Sequence, residues 1–476
     1  MLKESIKTGL TFDDVLLVPK YSSVKSRKEV DVTTSLSRNI KMNIPIISAN
    51  MDTVTESKMA KRMAVEGGIG IIHRFLSVED QVSEVLKVKR SESIIVENPY
   101  TFSPDKTVLE AKNFMKESGV SGLLIVDQNK KLIGVLSQRD ILFVNNDCLI
   151  SEVMTTNVIS VKNELSISDA KKLLFKHRIE KLPIVDDNGI IKGLITSKDI
   201  VKVQDHPLAL KDNKGRLMVG AAIGVKHGFL ERAEALLEAG ADVLVVDIAH
   251  GHSNLAINAI KALKKKFTGV EVIAGNVATA KGTKDLIKAG ADAIKVGVGP
   301  GSICITRIVA GAGVPQLSAI IACAKEAKKY GIPIIADGGI KTSGDIVKAL
   351  AAGASSVMCG NVLAGTTESP GLTILRNGRK YKVSRGMASF GATLGRNARE
   401  KESSNDLLDL VPEGVEAMVP YKGDAKEVLH QLIGGLRSGV SYCGAKTILQ
   451  MQKNAEFIRI TSAGIRESKP HDVDLI

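Results

Sequence analysis

The chain has 476 residues, of which 44% are hydrophobic and 25% charged, and it carries a formal net charge of +13. This composition is typical of a folded globular protein with two or three domains and argues against intrinsic disorder. The lysines are spread along helix-like stretches, and the 10 Phe and 6 Tyr residues, with no Trp, leave few rings for base stacking. We therefore expect no nucleic-acid partner, and the basic charge favours an anionic small substrate.

The amino terminus has no apolar signal-peptide core, and no run of about 18 uncharged apolar residues occurs. We therefore expect no membrane association and a cytoplasmic location. The five cysteines form no CxxC pair, which argues against a disulfide framework or a zinc site. We expect all five to be reduced.

Eight short apolar segments, each ending in glycine or a small polar residue, are predicted to be strands. Amphipathic stretches lie between the later ones, at Thr283–Ala289, Ser318–Tyr330 and Ser343–Ala352. Alternating strands and helices predict an α/β fold, and eight such units predict a TIM (β/α)8 barrel with its site at the carboxyl ends of the strands. The predicted strands are Ile44–Ala49, Gly68–His73, Leu217–Gly224, Val243–His250, Val272–Val277, Ala293–Gly301, Ile332–Gly339 and Ser356–Asn361.

The second and third predicted strands are separated by about 140 residues, far more than a barrel loop needs. This interval contains a repeat, because "VSGLLIVDQNKKLIGVLSQRDI" at 120–141 matches "IEKLPIVDDNGIIKGLITSKDI" at 179–200. Each copy is predicted to form strand, turn, strand and helix. We therefore expect an inserted domain at 93–206, with halves at about 93–150 and 151–206, between barrel parts at 1–92 and 207–476.

The repeat resembles a tandem pair of cystathionine-β-synthase (CBS) modules, which hold adenine nucleotides through a Ser or Thr and an Asp. Ser137, Asp140, Thr196 and Asp199 stand at the matching positions. The resemblance implies a regulatory purine nucleotide at these residues. The alternative is that they only cap the following helices, as these residue types often do.

The stretch "GVGPGSICITR" at 297–307 places Cys304 in a glycine-rich loop after a predicted strand. Main-chain N–H groups of such a loop suit a phosphate, and its carbonyls suit a cation. A thiolate there would be a strong nucleophile. For Cys323 and Cys359, which lack this setting, a buried apolar role is the prediction.

This loop is similar to the active-site loop of the IMP dehydrogenase and GMP reductase family. The resemblance spans nearly the whole chain and includes "LTFDDVLLVP" (10–19), "MDTVTE" (51–56), "GGIGIIH" (67–73), "VVDIAHGHS" (245–253), "GNVATA" (275–280), "ADGGI" (336–340), "RGMAS" (385–389) and "VPEGVEAMVPYKG" (411–423). It implies that Cys304 attacks C2 of the purine while NAD takes the hydride, with Thr306 assisting proton transfer. The implied reaction is the oxidation of IMP to XMP in guanine nucleotide biosynthesis.

The resemblance also assigns the binding residues. Asp337 would bind the ribose hydroxyls, which suit a carboxylate acceptor. Ser302, Gly339 and Gly360 would bind the phosphate, and Gly386, Met387 and Glu413 would bind the base. Gly338 and Asn361 would be further substrate residues. The cofactor residues would be Asp247, Asn276, Gly297, Val298 and Gly299.

Potassium is a second implied cofactor. The carbonyls of Gly299, Gly301 and Cys304 would bind it, together with those of Glu467, Ser468 and Lys469 from a neighbouring subunit. A shared ion implies a homotetramer, with an octamer as the alternative.

The flap between "RGM" and "EGV" departs from the dehydrogenase pattern. Dehydrogenases carry an Arg-Tyr pair there, and the segment 391–410 has none. We expect Arg399 to take the water-activating role, with Glu413 or Glu400 relaying the proton. Because a GMP reductase needs no water activation, an NADPH-dependent reductase with a CBS pair is an alternative, and a non-catalytic nucleotide sensor is a third.

Overall fold

The structure is a computed structural model that describes residues 6–91, 96, 99–162, 165, 167–197, 200–201, 206–392 and 411–470. Contacts between residues divide the chain into two compact units. The larger unit consists of Met1–Lys89, Leu208–Leu210 and Leu217–Ile476, and the smaller unit of Arg90–Pro207 and Lys211–Arg216.

The larger unit contains a closed barrel of eight parallel strands. Each strand pairs with the next along the chain, and the eighth pairs with the first. The predicted barrel is confirmed, and each predicted strand is present. Seven of the eight are shorter than predicted, and the fifth begins one residue earlier, at Glu271. The strands are β1 (Ile46–Ser48), β2 (Ile69–Ile72), β3 (Gly220–Ile223), β4 (Val243–Asp247), β5 (Glu271–Val277), β6 (Ala293–Val296), β7 (Ile334–Asp337) and β8 (Ser356–Cys359).

The barrel strands are buried on both faces. Every residue of β2, β3 and β6 is buried, because helices cover the outside and the other strands fill the inside. Such strands need apolar side chains on both faces, which explains continuous runs such as Val-Leu-Val-Val in β4. A single apolar core extends from these strands to the surrounding helices.

Helices follow the strands and surround the barrel. Several begin at a side-chain cap, as where the hydroxyls of Ser253 and Thr279 accept main-chain N–H groups. The predicted helix over 318–330 is divided into an α-helix at Gln316–Ala327 and a 3₁₀ turn at Lys328–Tyr330. The other long helices of this unit are Ser57–Val65, Val78–Lys89, Phe229–Glu238, Asn254–Lys266, Ala280–Ala289, Ser343–Ala351 and Ala425–Tyr442.

Smaller elements complete the larger unit. Val15–Leu17 pairs with Phe457–Arg459, and Thr34–Ser35 pairs with Lys41–Met42, both antiparallel. A three-stranded antiparallel sheet is formed by Thr373–Arg376, Arg379–Arg385 and Glu416–Pro420. Short helical turns occur at Phe12–Asp14, Arg27–Glu29, Thr306–Val309, Asn361–Ala364, Ile448–Asn454 and Ser462–Glu467. Among the described residues, no helix combines the length and hydropathy needed to cross a membrane.

The smaller unit contains two small sheets, each with its own apolar core. One sheet joins Thr101–Phe102, Gly122–Val126 and Leu132–Ser137, and the other joins Lys181–Val185 and Ile191–Thr196. Its helices are Val108–Ser118, Ile150–Val153 and Ile167–His177.

The two copies of the repeat differ after their second strand. The predicted helix is wrong for the first copy, where residues 138–143 form turns. The Asp140 carboxylate accepts hydrogen bonds from the Ser137 main-chain N–H (2.7 Å) and hydroxyl (2.8 Å). Thr342 and Asp345 make the same two bonds at the start of the helix Ser343–Ala351, so these bonds do not explain why the first copy forms turns. In the second copy the described residues Ser197, Ile200 and Val201 are helical.

Candidate active site

The loop that carries Cys304 begins where β6 ends. A Cβ atom at Gly297 would lie 2.0 Å from the main-chain oxygen of Asp337, so only glycine allows this loop to pass so close to the end of β7. The loop continues to the helical turn Thr306–Val309. Cys304 therefore lies at the carboxyl end of the barrel, where barrel enzymes place their catalytic groups.

Cys304 is the first member of a chain of three side chains. Its Sγ atom lies 3.2 Å from the Thr306 hydroxyl, which donates a 2.7 Å hydrogen bond to Oε2 of Glu413. The thiol is therefore connected through one hydroxyl to a carboxylate more than a hundred residues away in sequence. This arrangement can move a proton between the sulfur and the carboxylate.

Main-chain hydrogen bonds hold Glu413 against the cysteine loop. Ile305 N–H donates to the Glu413 carbonyl (2.8 Å), and Val415 N–H donates to the Ile303 carbonyl (3.0 Å). Cys304 and Gly414 form an antiparallel bridge between these bonds. Glu413 is thus positioned by the backbone, not by its side chain alone.

Gly386 and Met387, predicted to bind the base, adjoin the same segment. Gly386 N–H donates to the Val415 carbonyl (3.0 Å). Arg385 is held to the Asp52 carboxylate through Nε at 3.0 Å, and its main-chain N–H donates to the Thr53 hydroxyl. The "RGMAS" and "MDTVTE" motifs therefore meet beside Cys304.

Asp337, predicted to bind the ribose, is the last residue of β7. Its Oδ2 atom accepts hydrogen bonds from Lys295 Nζ (2.7 Å) and Asn276 Nδ2 (2.9 Å). The helix after β7 is capped instead by Thr342 and Asp345, so Asp337 does not serve as a helix cap. Gln316 Nε2 also donates to the main-chain oxygens of Val296 (2.9 Å) and Asp337 (3.0 Å), which ties the ends of β6 and β7 together.

Lys295 and Gln316 were missed by the sequence prediction. The available signal for Lys295 was a single cation in the apolar run Ala-Asp-Ala-Ile-Lys-Val. A charge in a strand buried on both faces needs a partner, since an unpaired buried charge is costly. Gln316 offered no comparable signal.

Of the three predicted phosphate residues, Ser302 lies in the cysteine loop, and Gly339 and Gly360 lie at the ends of two neighbouring strands. Gly338 and Gly339 follow β7, while Gly360 and Asn361 open the turn Asn361–Ala364 after β8. Lys422, another residue missed from the sequence, donates to the carbonyls of Asn361 (2.8 Å) and Val362 (3.0 Å). Burial lowers the pKa of the Lys422 ammonium.

Two predicted cofactor residues lie at the ends of β4 and β5. The Asp247 carboxylate accepts from Arg74 Nε at 3.3 Å. Asn276 donates to the Gly297 carbonyl (2.7 Å) as well as to Asp337. Val298, in the cysteine loop, accepts from the Arg307 guanidinium through its carbonyl (3.4 Å).

The cysteines differ in their environment. Burial raises the pKa of the Cys323 thiol to about 11. For Cys359, burial and, second, the nearby Asp337 charge raise the pKa to about 12. Cys304 is half-buried in its loop and is the thiol that lies beside Thr306.

The predicted potassium residues lie in two places. Cys304 N–H donates to the Gly301 carbonyl (3.2 Å) within the loop that also contains Gly299. Glu467 ends the helix Ser462–Glu467, and Ser468 and Lys469 follow it. The last carbonyls of a helix have no partners within it, so they are suited to bind a cation.

The predicted regulatory residues belong to the smaller unit. Ser137 and Asp140 line a cavity of about 230 Å³. Three basic side chains, Arg139, Arg178 and Lys181, also line it, together with Glu180, whose carboxylate pairs with Arg139. Thr196 ends the strand that pairs with Lys181–Val185.

Three predicted residues, Asp199, Arg399 and Glu400, lie outside the described residues.

A family model described as the IMP dehydrogenase / GMP reductase domain matches residues 9–471. The chain belongs to the IMP dehydrogenase/GMP reductase family. It is 61% identical over 473 residues to the inosine-5'-monophosphate dehydrogenase of Nitrosopumilus maritimus, with 99% of each chain covered. It is 56% identical over 478 residues to that of Aquifex aeolicus, covering 100% of this chain and 97% of the relative.

Among solved structures, a variant of GMP reductase from Trypanosoma brucei in complex with guanosine 5'-monophosphate is 50% identical to this chain. The alignment covers 99% of each chain with a TM-score of 0.92. The predicted family is confirmed, and the chain is an enzyme of this family. Both activities of the family occur among its relatives.

Proposed function

We propose that the chain oxidises IMP to XMP with NAD through a covalent bond between Cys304 and C2 of the purine. The observation that carries the proposal is the connected set Cys304, Thr306 and Glu413 at the carboxyl end of the barrel. The sulfur attacks C2, and the hydride at C2 leaves to NAD, which accepts it at its nicotinamide ring. Water then replaces the sulfur at C2, so that IMP, NAD⁺ and water become XMP, NADH and a proton.

The contacts among Cys304, Thr306 and Glu413 also support a path for the two protons that the reaction must move. The thiol must lose its proton before the attack, and the water must lose one during hydrolysis. The Thr306 hydroxyl can accept either proton as it passes its own to Glu413, because it already donates to that carboxylate at 2.7 Å. Arg399 stays a prediction for water activation.

The carboxyl ends of the barrel strands supply groups that can bind the substrate. Asp337 supplies a carboxylate acceptor for the ribose hydroxyls. Gly339, Gly360 and Ser302 supply main-chain N–H groups for the phosphate, and the segment Gly386–Met387 faces the base. Asp247, Asn276 and the loop from Gly297 would hold NAD.

Potassium fits the chemistry of the remaining donors. The carbonyls of Gly299, Gly301 and Cys304 are hard oxygen ligands, as are those that follow the helix Ser462–Glu467. If the second set belongs to a neighbouring subunit, the enzyme is a homotetramer or an octamer built from tetramers. Turnover should then rise when potassium replaces sodium, and equal rates in the two salts would contradict this part of the proposal.

The smaller unit is proposed to be a CBS pair that binds a regulatory purine nucleotide. The cavity beside Ser137 and Asp140 has three basic and two acidic side chains in its lining, and this small excess of positive charge suits an anionic ligand. The Ser137–Asp140 hydrogen bonds also fit the alternative, in which these residues only cap the segment that follows them.

A second candidate function is the NADPH-dependent reduction of GMP to IMP and ammonia. It is favoured by the absence of Arg-Tyr from the segment 391–410 and by the similarity to the trypanosomal GMP reductase. The same covalent intermediate would arise by loss of ammonia, and no water would need activation.

Paired assays distinguish the two functions. NADH formation from IMP plus NAD is compared with NADPH consumption on GMP, and both are repeated with Arg399→Ala. The proposal expects turnover of IMP, reduced in the variant. Turnover of GMP without turnover of IMP would assign the chain as a reductase, and activity with neither would support a nucleotide sensor.

A further inference from the structure

Lys295 is a buried cation inside the barrel. It belongs to β6, is 3% exposed, and neighbours Gly275 of β5 across the sheet. A Cβ atom at position 275 would lie 2.5 Å from the carbonyl oxygen of Lys295 and 2.7 Å from its Cβ. Glycine at position 275 is therefore required for this close approach of β5 to β6.

The Lys295 ammonium joins two side chains at the carboxyl end. It donates to Asp337 Oδ2 at 2.7 Å and also to Asn276 Oδ1. The Asn276 amide in turn donates to Asp337 Oδ2 and to the Gly297 carbonyl. Both ends of the Asn276 amide are thus used within the protein, and two donors converge on a single oxygen of Asp337.

The other oxygen of Asp337 is in a different situation. Within the part of the chain that the structure describes, Oδ1 accepts no hydrogen bond, and the Asp337 side chain keeps 20% exposure. A carboxylate is an acceptor only. Oδ1 is therefore the oxygen that remains for a ligand's hydroxyl groups.

We propose that Lys295 and Asn276 are positioning residues that fix Asp337 in one orientation, with Oδ1 turned toward the ribose, and so make the site select nucleotides with ribose hydroxyls. The inference rests on the proposed role of Asp337 in ribose binding. A carboxylate held by two donors loses little freedom when the substrate binds, so each hydroxyl bond contributes more to affinity.

The test is equilibrium binding without NAD, measured by calorimetry with IMP and with 2',3'-dideoxy-IMP. Wild-type protein should bind IMP roughly 100-fold more tightly, as expected for hydrogen bonds to a charged group. In Lys295→Met this preference should fall below about 10-fold, chiefly through weaker IMP binding. Asn276→Ala, a milder change that removes one donor to Oδ2, should reduce it severalfold.

Lys89→Met is the matched control, because Lys89 is 2% exposed and pairs with Asp242 (2.7 Å) elsewhere in the barrel. It should keep the wild-type preference. Wild-type preference in both Lys295→Met and Asn276→Ala would overturn the inference, as would an equal loss in Lys89→Met. If Lys295→Met does not fold, the preference measured for Asn276→Ala decides whether the inference stands. If wild-type protein itself does not prefer IMP, the ribose role of Asp337 fails instead, whatever the reaction proves to be.

Discussion

The two ends of the barrel both carry lysine–aspartate pairs, but they use the carboxylates differently. At the amino end, Asp242 directly precedes β4. Its Oδ1 accepts from Lys89 Nζ (2.9 Å), and its Oδ2 accepts from Lys89 Nζ (2.7 Å) and the Val219 N–H (2.7 Å). Asp292, which precedes β6, repeats the arrangement with Lys264 and the Val272 N–H on Oδ2 and Arg38 on Oδ1.

At the carboxyl end, Asp337 is held by Lys295 and Asn276 through one oxygen only. The amino-end carboxylates therefore connect strands and have both oxygens occupied, whereas Asp337 keeps an acceptor for a ligand. These two kinds of pair agree with the general pattern of (β/α)8 barrels, in which residues at the amino face support stability and residues at the carboxyl face support chemistry. A buried ion pair alone does not identify a site, and an unused acceptor in such a pair is the more informative feature.

The largest effect is expected at the carboxyl end, in the proton path. Thr306→Val and Glu413→Gln should each lower kcat by roughly 10²–10⁴-fold, because either removes the route from the sulfur to the carboxylate. The double variant should be little worse than the single ones, since the two groups act as a unit. Steady-state kinetics with IMP and NAD measure this.

Glu416→Gln, which changes an exposed carboxylate three residues further along the chain, is the control and should stay near wild type. Additive losses in the double variant would show that Thr306 and Glu413 do not share one path.

At the amino end the expected effect is on stability. Lys89→Met removes a buried ammonium that lies 2.7 Å from the Asp242 carboxylate, and breaking a buried ion pair typically lowers the free energy of unfolding by about 3–5 kcal/mol. Chemical denaturation measures the loss, and the Kd for IMP should stay unchanged. A weakened nucleotide affinity with normal stability would contradict the division between the two ends.

The smallest expected effect is a difference in chemical reactivity among the cysteine thiols. Because burial raises the pKa of Cys323 to about 11 and that of Cys359 to about 12, both thiols stay protonated as the pH rises to 8. At that pH only about one Cys323 thiol in a thousand is a thiolate. Iodoacetamide should therefore label Cys304 in the folded protein and leave both buried cysteines unmodified.

Peptide mass spectrometry measures the labelling, and IMP should protect Cys304. Unfolded protein, in which all five cysteines should react, is the control. Labelling of Cys359 at the rate of Cys304 in folded protein would contradict the assigned environments.

The sequence was sufficient for the barrel because each strand is a buried apolar run that ends in glycine or a polar residue. The sequence was also sufficient to place Cys304 in a loop at a strand end, because glycines in such a loop indicate a turn that can bind a phosphate. The Cys304–Thr306–Glu413 connection depends on main-chain pairing between segments far apart in sequence, such as Ile305 with Glu413. Spacing along the chain cannot reveal such a pairing.

Two features differ from the prediction or were missed by it. The helix predicted at the end of the first repeat copy is replaced by turns at 138–143, and the Ser137–Asp140 bonds do not explain this, because Thr342 and Asp345 make the same bonds at the start of a helix. The role of Lys295 was not predicted because its partners, Asn276 and Asp337, belong to the two neighbouring strands. Their contact with Lys295 depends on the folded barrel and cannot be inferred from spacing along the chain.

Covalent attack by Cys304 on the purine can be tested by trapping the adduct. IMP labelled in its purine ring is mixed with NAD and excess protein, the mixture is quenched in acid at a series of times, and the protein is digested. We expect label on the peptide that contains Cys304, appearing together with NADH and absent in Cys304→Ala. Formation of NADH with no protein-bound label at any time, or label on a different cysteine, would contradict it.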